Sequence, residues 1–149
     1  MARFIFSLQV VLNERERQEQ LAQRALAEKL RDYDAVEGEL RQVEREVTQA
    51  NDDLRQHQLA PRIDPQFLIA HRRYMGAMRI KIQSIAQRMS TARLAIETAR
   101  RELGQAVTAR KSIEILRDRK LAEFKAEQAR KDRVLSDEIG AQIAFANLQ

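Results

Sequence analysis

The stretch Gln58-Leu-Ala-Pro-Arg-Ile-Asp-Pro65 decides the fold, because it is the one strong helix break in the middle of the chain. Proline has no backbone N–H and its ring clashes with the preceding helical turn, so Pro61 and Pro65 do not fit a helix interior. Asp64 before Pro65 is typical of a helix start, with a carboxylate at the N-cap and proline at the first helical position. We therefore predict a first helix over about 4–58, a turn over 59–64 and a second helix over about 65–147.

The composition on both sides of this break is that of long helices. Of the 149 residues, 33% are charged and 44% are hydrophobic, and there are only four glycines and two prolines. There is no Trp, and aromatic residues make up only 5% of the chain. Such a chain lacks the large side chains of an ordinary globular core, so we expect a narrow apolar seam between helices instead.

The seam can be read from apolar residues that alternate four and three apart in both predicted helices. This is heptad spacing, and it persists long enough to indicate a coiled coil. Because the connection is short, the two helices must be antiparallel neighbours. We therefore predict an all-α fold, a single antiparallel two-helix coiled-coil hairpin over residues 1–149. The predicted seam residues are Leu26, Tyr33, Val36, Leu40, Val43, Val47, Leu54, Met75, Met78, Ile82, Ile85, Met89, Ile96 and Leu103.

The predicted register pairs residues whose numbers sum to 125, so that Val43 meets Ile82 across the seam. From Pro65 to Ile96 the chain has six Lys or Arg and no Asp or Glu. In this register those cations face acidic residues of the first helix, which explains the charge asymmetry without an external anion. The expected pairs are Arg72 with Asp53, Arg79 with Glu46, Lys81 with Glu44, Arg88 with Glu37, and Arg93 with Asp32.

The second helix is longer than the first, so we expect an overhang over about 120–149 with no helical partner in this chain. Thirty residues of helix correspond to about 45 Å. The overhang keeps large apolar side chains, which indicate a surface for a partner. The alternative is a frayed tail. The apolar residues in question are Leu121, Phe124, Val134, Leu135, Ile139, Ile143 and Phe145.

The sequence carries no pattern that predicts catalysis. There is no Cys, and His57 and His71 are the only histidines. Two histidines beside the turn do not make a convincing metal site, and no glycine-rich phosphate loop or nucleophile–base constellation is present. We therefore expect no enzyme activity, no cofactor and no metal.

The sequence also gives little support for membrane insertion or nucleic-acid binding. No apolar run approaches the ~20 residues of a membrane span. The apolar start at Phe4–Leu12 continues directly into charged residues with no cleavage site, so we expect a cytoplasmic protein. Basic residues dominate the far half of the second helix, but aromatic residues do not interleave with them. Nucleic-acid binding is therefore kept only as a third alternative.

Three motifs carry a resemblance to a known family. The start Phe4-Ile-Phe-Ser-Leu-Gln-Val-Val-Leu-Asn-Glu-Arg-Glu-Arg17 resembles the F-x-F-x-L-Q-x-x-L-x-x-R-E opening of FliJ-type flagellar export proteins. Tyr74-Met75-x-x-Met78-x-x-x-Ile82 is similar to that family's aromatic and aliphatic run early in the second helix. The run Lys131-Asp-Arg-Val-Leu-Ser-Asp137-Glu138-Ile139 resembles its K-x-x-D-E ending. Length and hairpin topology match over the whole chain.

The resemblance implies a stalk similar to the coiled-coil rod of the rotary ATPase γ subunit. Such proteins contact the hexameric flagellar export ATPase, the export-gate membrane protein and, in some members, substrate-escort chaperones. They work in the cytoplasm at the inner face of the inner membrane, at the flagellar base, and we expect a monomeric hairpin. The residues implied at the ATPase ring are Phe4, Leu8, Leu12, Phe124, Lys131, Leu135, Asp137, Glu138 and Ile139. Those implied at the gate are Tyr74, Met78 and Ile82.

The predicted register conflicts with part of the gate assignment. It places Met78 and Ile82 in the seam, so Tyr74 is the better surface candidate. Two other functions stay open beside the flagellar one: a structural coiled-coil scaffold, and the equivalent stalk of a virulence type III secretion system.

Overall fold

The structure is a computed structural model that describes residues 2–149, and it contains two helices. The first, α1, is Gln9–Gln58 and the second, α2, is Pro65–Asn147. The described residues form no strand. The predicted all-α helical hairpin is confirmed.

The turn between the helices is held by local hydrogen bonds. The Leu59 N–H donates to the Arg55 carbonyl at 3.2 Å, which closes the end of α1. At the start of α2, Asp64 Oδ1 accepts a hydrogen bond from the Gln66 backbone N–H at 2.9 Å. This bond satisfies one of the N–H groups that a helix start leaves without a partner. The Pro65 ring therefore begins the helix instead of breaking it.

The start of α1 differs from the prediction. The helix begins at Gln9, not near residue 4, and residues 2–6 are not helical. Phe6 is only 8% exposed and Phe4 is half-buried, whereas Ile5 between them is 82% exposed. Exposure that alternates from one residue to the next is typical of extended backbone, in which Phe4 and Phe6 face the same side. A helix would have turned them away from each other.

The chain divides into two compact units. The first consists of Met1–Gln20 and Gly104–Gln149, and the second is Leu21–Leu103. In the second unit, the side chains least exposed to solvent recur four and three apart along both helices, and Val43 and Ile85 are each 1% exposed. All fourteen predicted seam residues, Leu26 to Leu103, are buried or half-buried. Near the turn, Phe67 is half-buried and Leu68 is 39% exposed.

The predicted ion pairs across the seam are wrong. Arg88 forms a two-point pair with Glu39, at 2.6 and 2.8 Å, and not with Glu37, which lies beside Arg41 on its own helix. Arg93 donates to the Tyr33 hydroxyl at 3.3 Å instead of meeting an aspartate. The other three predicted pairs are also not formed within residues 2–149; they are Arg72 with Asp53, Arg79 with Glu46, and Lys81 with Glu44.

The reason is the direction of the second helix. Glu39 and Arg88 each come one residue before a seam position, whereas Glu37 comes one residue after one. In an antiparallel pair, the residues that precede seam positions on both helices share one flank, and those that follow share the other. Every one of the five predicted pairs joins a preceding residue to a following one. Each therefore places its two charges on opposite flanks of the hairpin.

Candidate docking surface

The outermost part of α2 forms the candidate site. Every residue from 129 to 149 is exposed. Leu135, Ile139 and Ile143 lie four residues apart and are each about half exposed. Residues four apart share one side of a helix, so these three side chains form a continuous apolar surface. We call Leu135, Ile139 and Ile143 the docking face.

Three charged residues lie on the same stretch of α2 as the docking face. Lys131, Asp137 and Glu138 are all exposed and form no ion pair within residues 2–149. One turn earlier, Arg130 donates to both carboxylate oxygens of Glu127, at 2.7 and 3.1 Å. That hydrogen bonding lowers the pKa of Glu127 from its ordinary value. Lys131, Asp137 and Glu138 therefore have no ion-pair partner in the described part of the chain, whereas Arg130 and Glu127 pair with each other.

The overhang is shorter than the sequence predicted. Leu121 and Phe124 are half-buried, and the Phe4 ring lies against the Phe124 ring, with centroids 5.6 Å apart and planes inclined by 54°. The N-terminal segment reaches this far because it is extended instead of helical. We call residues 3–6 the N-terminal strap. Fully exposed helix begins at Ala129, not near residue 120.

The nine residues implied at the ATPase ring fall into two groups. Leu12 is 1% exposed, and Phe4, Leu8 and Phe124 are half-buried in the packing of the first unit. The remaining five, Lys131, Leu135, Asp137, Glu138 and Ile139, are exposed on the outer part of α2.

A polar contact interrupts the apolar packing of the first unit. Arg110 pairs with Glu114 on its own helix, at 2.7 Å, and with Glu19 of α1. The hydrogen bonds that Arg110 donates to Glu114 and then to Glu19 raise the pKa of Arg110. The predicted register, in which paired residue numbers sum to 125, puts Arg15 opposite Arg110, whereas the ion pair that Arg110 forms with α1 is with Glu19. The structure has opposite charges there, so this layer stabilises the antiparallel pairing instead of opposing it.

The region implied at the gate lies near the turn in the second unit. Tyr74 is 37% exposed, whereas Met78 and Ile82 are half-buried. Tyr74 borders an open cleft of about 630 Å³, lined also by Phe67, Ala50, Asp53 and Glu46 among others. The heptad spacing did not predict a role for Phe67, which lies outside the predicted seam. An aromatic residue directly inside the start of α2 was the available signal.

The rings of both histidines lie near the Phe67 ring. The His57 ring stacks on Phe67, with centroids 3.8 Å apart and planes 13° from parallel. The His71 ring lies 6.4 Å from the Phe67 ring, centroid to centroid, and its Nε2 is buried without a hydrogen-bond partner. Within the described residues no group of three or more His, Cys, Asp or Glu is placed to hold a metal ion.

None of the helices described here has a stretch both long enough and apolar enough to cross a membrane. The fold and its exposed helix end define a class of proteins: all-α helical hairpins with a row of exposed apolar side chains on the second helix.

A comparison with family models shows which protein family within that class the chain belongs to. The model described as "Flagellar FliJ protein" matches residues 4–149, so the chain belongs to the FliJ family. The chain is therefore related to flagellar protein export, which favours that interpretation over a scaffold, a virulence stalk or a nucleic-acid binder. Searches of curated proteins and of solved structures gave no significant match.

Proposed function

We propose that this chain is a non-catalytic component of the flagellar type III export apparatus that binds the hexameric export ATPase through the docking face. Family membership supports the export context. The observation that carries ring binding is the row Leu135, Ile139 and Ile143, exposed on a stretch of helix with no partner in its own chain. Apolar rows of this kind on soluble surfaces mark interaction sites.

The docking face supplies enough free energy to matter. Each of its three side chains is about half exposed, and burial of the remaining area stabilises a complex by about 1 kcal/mol per side chain. Three such side chains therefore contribute roughly 3 kcal/mol, or about a hundredfold in affinity. Lys131 and Glu138 lie seven residues apart and so border the same side of the docking face, where charges at the rim of an interface set register. Asp137 lies two residues from both Leu135 and Ile139, on the opposite side of α2.

Regulation of the ATPase then follows from differential affinity. A non-catalytic chain changes the activity of a ring only if it binds one nucleotide state of the ring more tightly than another. We propose that the docking face makes this distinction.

Coupling to the export gate uses the turn region, where Tyr74 is the most exposed of the three implied residues. Substrate-escort chaperones are further proposed partners. The chain on its own is proposed to be a monomer. In the cell it is proposed to act in the cytoplasm, at the inner face of the inner membrane.

The test is stimulation of the cognate ATPase by purified chain, with two isoleucines of α2 as a matched pair. Ile139 lies in the docking face and is 48% exposed, whereas Ile115 is 60% exposed outside it. We expect Ile139→Asp to abolish stimulation and Ile115→Asp to retain it. Because both side chains are exposed, helicity measured by circular dichroism should be equal in the two variants.

A truncation gives an independent check. Removal of residues 129–149 deletes only exposed positions, so the rest of the chain should keep its helicity. If the truncated chain or Ile139→Asp stimulates the ATPase as the parent does, ring binding through the docking face is refuted. Light scattering tests the scaffold alternative, since a scaffold multimerises and the proposed stalk does not.

A further inference from the structure

The N-terminal strap covers the surface that leads into the docking face. Its Phe4 ring packs on Phe124, which is half-buried. Along α2, Leu121, Phe124 and Gln128 are followed at spacings of three and four by Lys131 and Leu135. Residues at these spacings lie on one side of a helix. The strap therefore occupies the beginning of the same side on which the docking face lies.

The strap is weakly held. Its backbone is not helical, and Gln9 N–H to the Phe6 carbonyl, 3.1 Å, is the backbone hydrogen bond that ties it to α1. Ile5 is 82% exposed, so only alternate side chains contribute to its packing. Segments with few buried contacts and few hydrogen bonds open at low free-energy cost. Phe6 and Leu12, at 8% and 1% exposure, are the fixed points from which residues 3–5 can lift away.

We infer that the strap is an autoinhibitory cover: in the free chain Phe4 occupies the Phe124 side of α2, and binding of the ring displaces it. The inference rests on the proposed function, because it concerns the same side of α2. It also resolves a conflict in the implied ring contacts. Phe124 can contact the ring only when Phe4 no longer covers it. Displacement makes the Phe124 side of one further helical turn accessible to the partner.

The affinity of the ring for three variants separates this role from its competitors. A cover that is closed in about nine chains of ten weakens binding about tenfold, so Phe4→Ala should tighten Kd by that factor. Phe124→Ala should weaken binding, because it removes a side chain that the ring contacts. Ile5→Ala is the matched control in the same segment and should leave Kd unchanged. Circular dichroism verifies that all three variants keep the helicity of the parent.

Two results of this experiment overturn the inference. If Phe4→Ala weakens binding as Phe124→Ala does, Phe4 is itself a ring contact and not a cover. If Phe4→Ala leaves Kd unchanged, the strap is a static part of the fold. Only opposite effects of the two phenylalanine substitutions support displacement.

A spectroscopic readout reports displacement directly, because the chain has no Trp. In the Phe4→Trp variant, ring binding should shift the emission to longer wavelength and increase quenching by acrylamide. Ile5→Trp, already exposed, should show neither change. The emission of the ring itself is subtracted with the Trp-free parent, and binding is measured separately by co-sedimentation. A ring that binds without changing the Phe4→Trp emission overturns the inference alone. A ring that does not bind overturns the proposed function, and the inference with it.

Discussion

Two isoleucines of α2 that lie five residues apart, about 7.5 Å along the helix, test the seam of the second unit. Ile85 is 1% exposed and Ile80, on the same helix, is 69% exposed. Truncating a fully buried Ile to Ala costs about 2–5 kcal/mol, because the lost transfer free energy is joined by the cost of a cavity. A two-helix seam relaxes more readily than a thick core, so we expect about 2–3 kcal/mol for Ile85→Ala.

The exposed partner should behave in the opposite way. Ile80→Ala removes little burial and gains helix propensity, so the chain should be stabilised by a few tenths of a kcal/mol. For a chain of this size, a loss of about 2–3 kcal/mol lowers Tm by roughly 8 °C. Thermal unfolding of both variants, followed by circular dichroism at 222 nm, measures the difference. Equal losses of Tm at both positions would refute the assignment of Ile85 to the seam and of Ile80 to solvent.

Two further predictions concern charge and backbone. The hydrogen bonds from Arg88, followed by its charge and that of Lys81, lower the pKa of Glu39 from 4.5. A lowered folded-state pKa means that this pair stabilises the chain above the unfolded pKa and that the contribution disappears as pH falls through the folded one. The urea midpoint of Glu39→Gln should therefore lie below that of the parent at pH 7 and approach it under acid conditions. Gly76 lies inside α2 with no atom within 4 Å of an added Cβ. Gly76→Ala should therefore raise the free energy of unfolding, measured by urea denaturation at pH 7, by about 0.5–1 kcal/mol. A lower free energy of unfolding would mean that the position makes a contact absent from the structure.

The hairpin could be predicted because its causes are local. Two prolines and one capping aspartate act within a few residues of where they stand, and a heptad pattern needs no knowledge of what it packs against. Burial of Val43 and Ile85 follows from the spacing alone. The ion pairs across the seam could have been predicted from the same pattern. Glu39 and Arg88 each precede a seam residue, and in an antiparallel pair such residues lie on the same flank of the seam.

The N-terminal strap could not be found by extending the helical pattern backwards. Leu8 and Leu12 continue the helical spacing, and nothing at residues 4–6 breaks a helix in the way that proline does. What ends the helix is a tertiary contact, the packing of Phe4 on Phe124, which lies more than a hundred residues away in the sequence. The alternation of Phe4 and Phe6 about Ile5 was the available signal, and a two-residue period is short enough to be taken for chance.

The candidate site shows why the face and its partner need different kinds of evidence. Ile80, Ile115 and Ile139 are all exposed isoleucines on one helix, and exposure alone does not separate them. Ile139 differs because Leu135 and Ile143 lie one turn on either side of it and are exposed as well, so a partner buries three side chains in one contact. That row follows from spacing and burial, whereas the export context follows from the family match over residues 4–149. The proposal joins the two, because three apolar side chains exposed on one side of a helix lose the most water-exposed area when a single partner surface covers them.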